Sequence, residues 1–319
     1  MKQIVANLFA VFLMFMFVSP LFAGEETKDR ININFAVDEA GRFNPDIFMP
    51  IHWTENYYSG IGYRSSKTTD SDVVEGFDES RLSTTADERR IKLNLLSYET
   101  GSERLKYSIG GEIEHFTIER KEFGYIHFPA SLGDDWVAFD NDVDITLTRP
   151  YVRGDLTWLL FSQKVNLRIG GRVSPSSTLK VEQETRFKPI VTDTGTNKSN
   201  ENQDLSYEIT FDGLYKTGTF IDFAITAGYE FLPLKYDLAT LAYDSGTLTY
   251  SFENSTIKAE ETTLSAEFKL LLDVNIIGFL KPAIGYGIKK VETKDKTTNN
   301  GTTKKETTNF LLMGFEKKF

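Results

Sequence analysis

Apolar and polar side chains take turns along most of this chain, and the pattern returns in stretch after stretch. Ile91, Leu93 and Leu95 alternate with Lys92 and Asn94; Leu105, Tyr107, Ile109 and Ile113 alternate with Lys106, Ser108, Gly110 and Glu112. The same rhythm runs from Lys164 to Val173, from Leu205 to Tyr215, from Ile221 to Phe231, from Leu264 to Leu272 and from Ala283 to Lys289. Successive side chains of a strand point to opposite faces, whereas a helix repeats every ~3.6 residues. Each stretch therefore predicts a β-strand with one greasy and one polar face. The chain is predicted to be all-β.

What covers the greasy faces decides the architecture. The connections come in two sizes: short turns near Gly101, Phe161-Ser162, Thr217-Gly218 and Asp273-Val274, and long polar stretches near 66–86, 121–140, 176–202, 234–257 and 292–306. Short turns at one end and long loops at the other are the pattern of a transmembrane antiparallel up-and-down β-barrel with its short turns in the periplasm. Counting this way gives about ten strands, an even number as that class requires. A soluble β-sandwich also alternates, but it packs its apolar faces together. Here those faces end in tyrosine, phenylalanine and tryptophan, which suits the aromatic girdle of a membrane wall. One strand is out of phase: Val143, Ile145 and Leu147 are apolar at odd positions, Val152, Leu156 and Trp158 at even ones. The slip falls at Arg149-Pro150, where a β-bulge is expected because proline cannot donate to a ladder.

The start of the chain adds a compartment. Lys2, the apolar run from Ile4 to Val18, Pro20 and the small residues Ala23 and Gly24 predict a signal peptide over 1–23 that is removed on export. Residues 24–50 show no clear hairpin: Ile31 to Val37 could be a short strand, and the segment is expected to form a periplasmic arm or plug, with the barrel over 51–319. The chain has no cysteine, so neither disulfides nor thiolate metal sites are available. Its formal charge of −10 makes nucleic acid an unsuitable partner.

The closing stretch NFLLMGFEKKF places Leu311, Met313, Phe315 and Phe319 on one face and Leu312, Gly314, Glu316 and Lys318 on the other. This resembles the last strand of outer-membrane β-barrel proteins of Gram-negative bacteria, which commonly end on an aromatic residue. The resemblance implies residence in the outer membrane, contact with its lipid, and an assembly signal at Phe315 and Phe319 read by the barrel assembly machinery. Lys317 departs from the pattern, at a place where a lysine can reach the interface at little cost.

Candidate chemistry is concentrated on the polar strand faces. Arg153, Asp155, Arg168, Arg172, Glu208, Asp212, Asp222, Glu267 and Lys269 are predicted to face the lumen as a network of paired charges. An unpaired buried charge costs several kcal/mol, and a barrel of about ten strands is close to being filled by its own side chains. Asp140, Asp142 and Asp144 share a strand face and could offer oxygens to Ca²⁺, although the glycine and closing glutamate of an EF-hand loop are missing. Pairing of these aspartates with Arg168 and Arg172 on the neighbouring strand is the plainer expectation. Barrel proteases of the omptin type would need paired aspartates, which Asp70 and Asp72 imitate, and an Asp–His pair that His52, His115 and His127 do not form in sequence. A barrel hydrolase would need a serine beside a histidine, for which His127 and Ser131 are the weak candidates. The expectation is a monomeric, non-enzymatic barrel without cofactor, structural or surface-binding in role. A narrow porin-like channel with a mild anion preference is the alternative, and a barrel-embedded hydrolase a distant third.

Overall fold

The computed structural model describes residues 31–38, 43–72, 81–127, 136–188, 194–244, 249–272, 281–297 and 302–317. The signal segment 1–23 and Phe319 lie outside them. The described chain is fourteen antiparallel strands in one sheet. They are β1 (Ile31–Asp38), β2 (Phe43–His52), β3 (Tyr57–Asp72), β4 (Arg81–Gly101), β5 (Leu105–His127), β6 (Trp136–Leu160) and β7 (Val165–Ser174). There follow β8 (Ser177–Lys188), β9 (Gly195–Gln203), β10 (Ser206–Lys216), β11 (Ile221–Asp244), β12 (Thr249–Leu272), β13 (Lys281–Asp295) and β14 (Thr303–Lys317).

Twelve of these strands form a closed ring, and β8 and β9 branch from its wall. The ring shuts where β1 pairs with β14, from Ile31↔Lys317 to Asp38↔Phe310. The expected count of about ten is therefore too low. The ring's two extra strands are β1 and β2, in the region expected to be an arm or plug; β8 and β9, outside the ring, come from the stretch 176–202 expected to be a loop. Pro45 and Pro50 interrupt the run that becomes β2, and proline within a run reads as a break.

The polar stretches expected to be long loops are mostly strand. β5 and β6 pair without a break from Leu105↔Trp158 to His127↔Trp136, and β11 and β12 from Ile221↔Leu272 to Asp244↔Thr249. At the short-turn end the outward face is apolar, with Tyr107, Ile109, Val152, Ile169, Ile209, Phe268 and Tyr286 all exposed. This belt fits the ~9–11 residues that a tilted strand needs to cross a membrane. Beyond it the strands continue as a tall wall whose outward face is charged. Alternation of hydrophobicity fades there although the strand geometry does not.

The expected phase slip in β6 is absent. Odd residues point inward along its whole length, so buried Val143 and Leu147 stand on the same face as buried Arg149 and Tyr151. What changes at Arg149 is the composition of the lumen face, not the face itself. Pro150 marks a break in the partner strand instead: β6 pairs with β8 as far as Thr148↔Thr178 and with β7 from Val152↔Val173. The bulge lies elsewhere, where the β4–β5 register jumps between Asn94 and Leu96 and leaves both Leu95 and Leu96 exposed. With the protein in detergent micelles, a cysteine at Leu156 should react with a micelle-phase thiol reagent and one at Asp144 with a water-phase reagent. Cysteines at Ile145 and Asp155 should be silent to the micelle-phase reagent; reaction at 145 would reinstate the slip.

Candidate functional site

The lumen is built in layers. At the short-turn end it holds a cavity of about 760 Å³, lined by Phe48, Tyr58, Arg153, Asp155, Arg168 and Asp212 among others. Arg153 Nε lies 2.9 Å from Asp155 Oδ2, and Arg168 Nη2 lies 2.7 Å from Asp155 Oδ1. Ser108 adds its hydroxyl to the same carboxylate at 2.9 Å, so Asp155 is held from three sides. Gly170 makes this possible, because a Cβ there would stand 2.3 Å from Asp155 Oδ1. Asp212 accepts a hydrogen bond from Thr226 at 2.8 Å and meets Arg168 at 3.9 Å.

Above the cavity the charges are buried. Glu114 and Arg149 have no exposed surface, and their side chains meet at 3.2 Å. Glu114 also receives Arg90 at 2.9 Å and Arg172 at 3.0 Å, while Arg149 reaches Glu230 at 2.8 Å. Arg172 is pinned further by Glu112 and Glu208. Register explains why so many carboxylates converge. Arg153 and Arg172 stand directly opposite each other on β6 and β7, an arrangement that repels unless an anion lies between. Glu112 supplies that anion, touching Arg172 and lying 3.9 Å from Arg153. Tyr151 completes the layer, its ring centroid 4.2 Å from the Arg172 guanidinium and 5.3 Å from that of Arg149. Cations over aromatic faces gain more when water is excluded.

The third layer is apolar. Val143 and Leu147 of β6, Leu179 and Val181 of β8 and Leu232 of β11 form one buried cluster, with Phe116, Leu234, Tyr236 and Leu238 packed against it. It lies between β5, β6, β8 and β11. Arg149 follows Leu147 on the same face of β6, so the buried ion pairs adjoin this layer.

Of the residues predicted to form the lumen network, Arg153, Asp155, Arg168, Arg172, Glu208 and Asp212 come together. Asp222 meets Lys281 at 2.8 Å, and Lys269 meets Glu267 at 3.1 Å in the lining of the same cavity. The most buried cation, Arg149, lies outside that predicted set because the expected slip obscured its face; unbroken odd-position counting along β6 identifies it. Asp140, Asp142 and Asp144 face outward on the tall wall, far from Arg168 and Arg172 in register, and so do not pair with them. Asp140 lies 3.9 Å from Arg186 and Asp142 3.7 Å from Lys121. Asp144 has partial burial, then Glu119 and Asp142, holding its carboxyl above the usual range. No cluster of three or more metal-ligating side chains occurs among the described residues. His52 stacks on Tyr58 in the cavity with ring centroids 5.5 Å apart, and His115 meets Thr148 at 3.1 Å on the outer wall. The His127 side chain and Ser131 lie outside the described residues. Phe315 packs against Ile33 beside the ring closure.

No family model matches the chain and no curated protein matches it. Among solved structures, the translocator domain of the autotransporter NalP from Neisseria meningitidis is similar over 100% of this chain and 98% of its own, with a TM-score of 0.48 and 11% identity. The Pseudomonas putida toluene transporter TodX is similar over 92% and 90%, at 0.42 and 8%. The outer membrane protease OmpT from Escherichia coli is similar over 92% and 97%, at 0.34 and 11%. None of these likenesses bears on what this barrel does.

Replacing Glu114 by Gln should cost about 3–5 kcal/mol of unfolding free energy, because the guanidiniums of Arg90, Arg149 and Arg172 would lose the buried carboxylate they share. Replacing Glu114 by Leu and Arg149 by Met together should recover much of that loss. Equal destabilisation by the single and double variants would show that the pair is not the stabilising unit.

Proposed function

We propose that the chain is a monomeric outer-membrane β-barrel whose lumen is shut at rest, with a structural or surface-binding role. The observation that carries this reading is the stack of a dry ion-pair layer under an apolar layer between β5, β6, β8 and β11. A permanently water-filled pore would not dehydrate Arg149 and Glu114, whose burial is costly without such cover. The exposed apolar belt takes lipid, the short turns face the periplasm, and the charged wall stands outside the cell. This wall, rather than the lumen, is the surface offered to external partners. Export by the signal segment and insertion by the barrel assembly machinery belong to the same reading, and it includes no enzymatic step.

Purified mature protein should migrate faster unboiled than boiled in SDS, as a closed barrel does. Inserted into planar lipid bilayers, it should carry no steady current. Identical migration, with solubility in the absence of detergent, would overturn the barrel in the membrane. A large constant conductance would overturn the resting seal and favour the porin-like alternative. Loss of a lipid-hydrolysing activity on His127→Ala would overturn the non-enzymatic reading.

A further inference from the structure

One side of the tall wall is not closed by a backbone ladder. β10 pairs with β11 from Lys216↔Asp222 to Tyr207↔Phe231 and stops there. Above Phe231, β11 pairs only with β12, and β9 pairs only with β8. Pro233 stands just past the stop, as expected of a strand edge that needs no donor at that point. The next three edge residues of β11 nevertheless have both backbone groups bonded.

Side chains from the inner face of β8 and β9 make these bonds. The Lys235 N–H donates to Gln203 Oε1 at 2.6 Å, and Gln203 Nε2 donates to the Lys235 carbonyl at 2.8 Å. The Asp237 N–H donates to Ser199 Oγ at 3.3 Å, and its carbonyl accepts from Asn197 Nδ2. The Ala239 N–H donates to Gln183 Oε1 at 2.7 Å, and Gln183 Nε2 donates to the Ala239 carbonyl at 3.2 Å. Gln183, Asn197, Ser199 and Gln203 are all buried. A carboxamide carries the same donor and acceptor as a peptide group, so the side chains stand in for a missing strand.

A second partner for that edge is already aligned. Continuing the β10–β11 register upward would set Gln203 opposite Lys235, Glu201 opposite Asp237 and Ser199 opposite Ala239. Lys235 already meets Glu201 at 3.1 Å. Latched by side chains or zipped to β9, the β11 edge keeps its hydrogen bonds. Of the carboxamides that the exchange releases, Gln183 keeps Asn141 and Thr185 and Gln203 keeps the Glu201 carbonyl, while Asn197 turns to lumen water. The difference lies in the apolar layer: zipping β9 to β11 would draw Leu179 and Val181 away from Leu232. Two packings that satisfy the same groups define a bistable element.

We infer that this seam is a gate, and that the barrel has a second activity as a gated passage for small water-soluble solutes. In the latched state the apolar layer shuts the lumen; in the zipped state β9 completes the wall and the layer parts. The path then leads over the cavity, whose wall carries Arg153 and Arg168 beside Asp155 and Asp212. Such a wall favours polar solutes and discriminates weakly by charge. This inference rests on the reading of the chain as a membrane-spanning barrel.

The test uses the full mature protein in planar lipid bilayers with potassium chloride as the permeant probe. Wild type should open briefly and rarely. Gln183→Leu with Gln203→Leu removes four of the latching bonds and should raise the open probability at least tenfold. Independently, cysteines at Val181 and Leu232 bridged by a bifunctional thiol reagent should abolish the openings, and a cleavable bridge should restore them on reduction. Openings unaffected by the bridge would overturn the gate, as would an inserted, heat-modifiable latch variant that stays silent. Failure of the wild type to insert at all would overturn the membrane-spanning reading beneath it.

Discussion

A strand edge that faces lipid has nowhere to place its N–H and C=O groups, and each group left unpaired costs several kcal/mol. Every other feature of this molecule follows from that constraint. It forces β1 onto β14 and so brings the first described strand against the last. Closure fixes which side chains look inward, and crowds arginines of neighbouring strands against one another. The crowding in turn demands the carboxylates that separate them. Glu112 between Arg153 and Arg172 is a product of ring geometry as much as of local sequence.

The ion-pair layer and the apolar layer support each other. Desolvation would make Arg149 and Glu114 a liability if either lost its partner. Arg90, Arg172 and Glu230 surround them closely enough to repay that cost. The apolar cluster above keeps water from competing for these contacts. It also gives β8 and β11 a reason to approach where no ladder joins them.

Much of the wall was legible in the sequence, because a period of two is visible wherever one face meets an apolar medium. Ile209, Ile225, Phe268 and Tyr286 all lie where alternation placed them. It was silent where the medium changes. Along the tall wall, strands such as GTNKSNENQ have polar residues on both faces, and nothing in their composition separates strand from loop. In β6 the misleading signal came from Val143 and Leu147. Apolar residues on a barrel strand read as outward, yet these two face an apolar layer inside the barrel. The paired charges around Asp155 were readable from inward positions, whereas the convergence on Glu114 depends on contacts between strands distant in sequence.

The side-chain latch on β11 has a consequence for life in a crowded membrane. An exposed row of backbone donors and acceptors is a template on which another chain's strand can nucleate, and natural sheets guard such rows with charges, prolines or covers. Here Pro233 blunts the first position, and buried carboxamides occupy Lys235, Asp237 and Ala239. The β11 edge is thereby occupied from within the chain, so at these three positions it offers an approaching strand no free ladder.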